Sequence, residues 1–152
     1  MNKIFAVSLG LLLFALQAPA SAQEADPENI IKYRKAVMTA VKGHNAAIKS
    51  IVTGKAPYGP RLGGHIASME ALFSELDDIF PEGSDFGDTA AKDAVWDKPE
   101  QFRKTVKKAQ QAVAEFKAAA ASKSGGELVQ AYKRFGKNSC GGCHKQFRKK
   151  KQ

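Results

Sequence analysis

DPENIIKYRKAVMTAVKGHNAAIKSIV, from Asp26 to Val52, is the stretch that sets the fold class. Asp26 suits a helix N-cap and Pro27 the first helical position, where a missing N–H costs nothing. Ile30, Ile31, Arg34, Val37, Met38, Val41, Asn45, Ile48 and Val52 then recur at the spacing of one helix face. Gly54 and Pro57 end the pattern. The helix is long, roughly seven turns by the helical rise.

Working outward, the same period returns three times. A second helix is expected from Leu62 to Phe80, with Ile66, Met69, Leu72, Phe73, Leu76, Ile79 and Phe80 inward and Pro81 and Gly83 as stops. Residues 81–97 form the longest connection, ending at Trp96, which packs back on the bundle. Asp97 to Glu100 reads as a capping box for a third helix carrying Phe102, Val106, Ala109, Val113 and Phe116. Ser124 to Glu127 repeats that pattern for a fourth helix, with Leu128, Ala131, Tyr132 and Phe135. Four amphipathic helices and no convincing strand predict an all-α, antiparallel four-helix bundle.

Upstream of Asp26 the chain reads as a targeting segment. Lys3, the apolar run Ile4 to Leu16 and the small-x-small triplet Ala20-Ser21-Ala22 form a secretory signal, cleaved after Ala22. The domain then comprises residues 23–152. No other segment is apolar enough for a transmembrane span, so an exported, periplasmic protein is expected.

The chain has 152 residues and a formal net charge of +9, enough for one domain rather than two. Its composition excludes collagen, low-complexity disorder and a disulfide-dense scaffold. The charge is lopsided. Eight basic and no acidic residues lie between Lys133 and the end, whereas Glu70 to Glu100 holds ten acids. A basic tail of this kind steers acidic partners. Export and the scarcity of aromatic residues among its lysines argue against nucleic acid.

Both cysteines fall in Cys140-Gly141-Gly142-Cys143-His144, a C-x-x-C-H run, the attachment signature of c-type haem. On a helix, Cys140 and Cys143 share a face and can meet the two vinyl groups of one porphyrin, while His144 projects toward the iron. The glycines leave room for a macrocycle near the backbone. A thioredoxin-like pair would follow a strand instead. A zinc site would need both Cys143 and His144 to close on one ion. A haem-free helical adaptor remains the reading from another class. No acid–base pair or nucleophile accompanies the motif, so no catalytic residue is assigned.

A bundle with C-x-x-C-H near its end resembles the class II cytochromes c, the cytochrome c′ family. The likeness rests on Tyr33-Arg34, Gly54-Lys55-Ala56-Pro57-Tyr58, Val95-Trp96 and Cys140 to Arg148. It implies one covalent haem c per chain, linked to Cys140 and Cys143, with His144 as axial ligand and Arg34 and Arg148 near the propionates. The family's distal position falls four residues after Arg34, at Met38, nineteen residues before Pro57. That resembles the low-spin cytochrome c-556 branch, in which a methionine ligates the iron. The expectation is therefore a His144/Met38 electron carrier, with redox proteins docking through an acidic face. The alternative is a five-coordinate cytochrome c′ that binds NO or CO. Met69 reads as core, and His44 and His65 as surface histidines. Relatives often form homodimers through their first two helices, which the alanines and Ile51 here permit.

Overall fold

The computed structural model describes residues 26–150; the signal-peptide reading lies outside them. The first helix, α1, spans Pro27–Val52, and Asp26 caps it through a 2.9 Å bond from the Glu28 N–H to its carboxylate. A 3₁₀ turn, Gly59–Arg61, leads into α2, Leu62–Ser74. A single turn, α3 (Ala94–Asp97), precedes α4, Pro99–Ser122. The last arm is α5 (Gly125–Gly136), a wide π-helical turn at Lys137–Gly141, and α6 (Gly142–Phe147).

Cross-helix contacts fix the directions. Tyr33 bonds Glu75 while His44 meets His65, so α1 and α2 run antiparallel. Glu70 pairs with Lys117 and the Phe73 carbonyl with Gln110, so α2 and α4 do too. Gln101 meets Gln146 while Phe116 stacks on Phe135, which turns α5 and α6 back along α4. Tyr132 bonds Asn45 at 3.0 Å and closes the ring from the last arm to α1. The result is the expected antiparallel four-helix bundle. Ile48, Ile66, Met69, Val106, Val113, Phe116 and Phe135 are almost wholly buried at its centre. Met69 is core, as its place on the stripe implied.

Two expected boundaries differ. α2 ends at Ser74 rather than Phe80, and residues 75–79 continue as turns. Leu76 and Ile79 still point inward, so the apolar period reports burial without reporting helix. Asp97 is no cap: Lys98 takes the N-cap position of α4 with no side-chain bond, and Pro99 begins the helix. Glu100 instead pairs with Arg103. Ser124 occupies the N-cap position of α5, likewise without a side-chain bond.

The acid-rich connection is strapped down. Trp96 donates its indole N–H to the Pro81 carbonyl at 2.9 Å, and Lys35 on α1 pairs with Asp88. Further along, Ala91 and Arg148 form an isolated antiparallel bridge. The Lys92 N–H donates to the Phe147 carbonyl at 2.9 Å and the Lys149 N–H to Ala90 at 2.8 Å. This backbone clasp fastens the end of α6, which is otherwise the loose end of a helix.

Candidate haem site

Cys140 lies inside the wide turn, and Cys143 and His144 lie in the first turn of α6. An i→i+5 turn carries one more residue than α geometry, and such turns gather at functional sites. The glycines of the motif serve this turn directly. A Cβ on Gly141 would lie 3.4 Å from the Gly136 carbonyl, and one on Gly142 would lie 3.6 Å from that of Lys137. Ser139, fully buried, donates its hydroxyl to the Phe135 carbonyl at 2.7 Å and sits 3.6 Å from the Cys140 sulfur. Phe147 anchors α6, buried edge-on against Phe102 with ring centroids 5.3 Å apart.

Both cysteines are half-buried, and no disulfide joins them. Burial, and then the neighbouring Cys140, push the Cys143 thiol up to about 11. His144 opens onto a groove of about 520 Å³ lined by Lys42, Gly141, His144, Lys145, Arg148, Lys149 and Lys150. Its imidazole lies below the ordinary histidine value, because the bundle desolvates it and the Arg148 cation repels a proton. Both effects favour the neutral form, the one that ligates a metal. No carboxylate lines the groove.

These groups fit haem c. Two thiols and a neutral imidazole stand together on one short segment, and a cationic lip suits the two propionates. Lys42 brings α1 to the groove, and Met38 lies one turn earlier on the same face, half-buried against the core.

Arg148 lies on the groove wall. Arg34 has a different setting from the one expected. Only 4% exposed, it donates to the Ile79 carbonyl (3.2 Å), the Ser84 hydroxyl (3.0 Å), the Ser84 carbonyl (2.8 Å) and the Thr89 hydroxyl (2.9 Å). Its guanidinium also stacks over Phe80 and Trp96, at 4.6 and 5.7 Å from the ring centroids. All four terminal N–H groups are committed to the 79–89 segment, leaving only Nε for any propionate. Burial lowers its pKa, with no carboxylate beside it.

His44 and His65 are not free surface histidines. Both are half-buried and face each other across α1 and α2. Ile51 is packed against the core rather than exposed. The C-terminal lysines of the groove were legible in the charge run; Lys42 and the wide turn were not.

The family model described as Cytochrome C′ matches residues 29–148. The chain belongs to the cytochrome c′ family. Cytochrome c′ of Pararhodospirillum photometricum is 31% identical over 125 residues, covering 82% of this chain and 99% of that protein. Cytochrome c-554 of Cereibacter sphaeroides is 32% identical over 156 residues, 99% of each chain. Cytochrome c prime from Shewanella frigidimarina superposes with a TM-score of 0.75 at 26% identity, over 84% of this chain and all of that one. A ferrous variant of the Alcaligenes xylosoxidans protein with bound NO gives 0.75 at 25% identity, over 85% of this chain. As a cytochrome c′-family protein the chain carries covalent haem c, and Cys140 and Cys143 are its only cysteines. The narrower likeness to the c-556 type, suggested by Met38, is not supported by these relatives. Among the described residues no helix is long and apolar enough to cross a membrane.

Proposed function

We propose that this cytochrome c′-family protein is exported after cleavage at Ala22 and binds a small diatomic gas, NO or CO, on haem. The haem, when bound, would supply an iron able to accept such a gas. His144 would hold that iron; desolvation and the Arg148 cation both favour its neutral form. Met38, half-buried on α1, would set the room left for an incoming ligand. Arg148 and the lysines of the groove would hold the propionates, and they keep the rim cationic. Arg34 fixes the long connection rather than the cofactor.

The observation that carries this reading is the groove itself, lined by His144 and Arg148 from the last arm and by Lys42 from α1. Supporting it, solved relatives include an Alcaligenes xylosoxidans variant with carbon monoxide bound, with a TM-score of 0.74 at 26% identity. The second reading is a Met38-ligated electron carrier. It draws on the half-buried thioether of Met38, because methionine opposite histidine raises the potential and closes the iron to added ligands.

Absorption spectra of the purified holoprotein, reduced, with and without CO, separate the two. Gas binding predicts a high-spin reduced spectrum that shifts on adding CO, with faster uptake in Met38→Ala. A sharp low-spin spectrum, unmoved by CO until Met38 is replaced, would overturn it in favour of electron transfer.

A further inference from the structure

His44 on α1 and His65 in the first turn of α2 are not among the residues lining the haem groove, and the haem chemistry uses neither. Their Nδ1 atoms stand 3.1 Å apart, and their rings meet edge-to-face with centroids 5.3 Å apart. Whichever ring donates, the other turns an unprotonated Nδ1 lone pair toward the same gap. That separation has a second meaning. With metal–nitrogen bonds of about 2.0–2.1 Å, neighbouring nitrogens on one ion lie roughly 2.9 Å apart in square-planar and 3.4 Å in tetrahedral geometry.

We propose that His44 and His65 form a two-imidazole site for a borderline divalent transition metal, Cu²⁺ above Zn²⁺. Imidazole pairs favour these ions, and Cu²⁺ stands highest in the divalent affinity order. On binding, the proton on the donor ring's Nδ1 is released and solvent returns one to its Nε2. Both rings stay neutral and both Nδ1 atoms bind the metal. Among the described residues no group of three or more His, Cys, Asp or Glu side chains gathers here, so water completes the coordination. The site is therefore exchangeable rather than structural. It joins α1 to α2, and a bound ion would brace the helix that carries Met38.

The chain has three histidines, so the test is clean. Oxidised holoprotein is titrated with Cu²⁺ and followed by electron paramagnetic resonance, with the haem absorption spectrum confirming the fold. One equivalent of Cu²⁺ with hyperfine structure from two equivalent imidazole nitrogens is expected. His44→Gln or His65→Gln should weaken binding by about tenfold or more and leave a single-nitrogen pattern. The double variant should show neither. A wild-type titration without the two-nitrogen signal, or one unchanged in the double variant, overturns the proposal. Wild-type spectra alone decide the matter if a variant fails to fold.

Discussion

Replacing Arg34 tests whether the long connection is held from inside the bundle. Arg34→Ala deletes four hydrogen bonds, from 2.8 to 3.2 Å, to Ile79, Ser84 and Thr89. Ser84 is fully buried, so its carbonyl loses a partner without gaining water. Bonds to a charged donor contribute about 1.5–3 kcal/mol each, but they are not additive, and burying the guanidinium opposes them. The stacking over Phe80 and Trp96 adds about 1 kcal/mol. A net loss of about 3–4 kcal/mol follows, comparable to stripping one partner from a buried charged network. For a domain of this size that lowers Tm by about 10–15 °C. Far-ultraviolet circular dichroism of the holoprotein, in heat and in denaturant, measures it. Arg34→Lys keeps the charge but lacks the planar fork and should recover at most half of the loss. A loss below about 1 kcal/mol in Arg34→Ala, or a lysine variant equal to wild type, would refute the reasoning.

Two further outcomes follow. Lys35 holds the Asp88 carboxyl below its ordinary value, through a hydrogen bond first and its charge second. The sign is that of a depressed acid: the contact helps at pH above the free aspartate range and is lost as pH falls through the lowered value. Lys35→Met should move the Asp88 titration upward by carbon-detected nuclear magnetic resonance, with little effect on stability because the pair is exposed. In chain prepared without haem, the Cys143 thiol, pushed up to about 11 by burial, should alkylate more slowly than a free cysteine in mildly alkaline buffer; mass spectrometry of the labelled peptide checks it.

The bundle was legible because burial leaves a period in the sequence. Ile31, Val37, Ile48 and Val52 on α1, and Phe102 through Phe116 on α4, are buried where the period put them. The C-x-x-C-H motif was legible because its chemistry demands those residues at that spacing. Residues 75–79 were misread as helix, since Leu76 and Ile79 keep an inward rhythm while the backbone turns. Arg34 shows a second limit. Its place on a helix face is written in the sequence, but its acceptors lie 45 to 55 residues away, three of the four in a connection with no period at all. The pairing of His44 with His65 is likewise a tertiary fact, created by the turn between two helices. Asp97-x-x-Glu100 looked like a cap, yet Pro99 set the start of α4 instead.

The wide turn at Lys137–Gly141 works as a phase setter. Each residue advances an α-helix by about 100°, so one residue more or fewer before Cys143 swings the following segment to another side of the bundle. A perfectly regular last arm would keep its hydrophobic seam on α4 but aim His144 elsewhere. The bundle tolerates a less regular backbone at this point, and two glycines and a buried serine accommodate it. Packing against α4 and orientation toward α1 are thereby decoupled. Each can change without dragging the other round the helix axis.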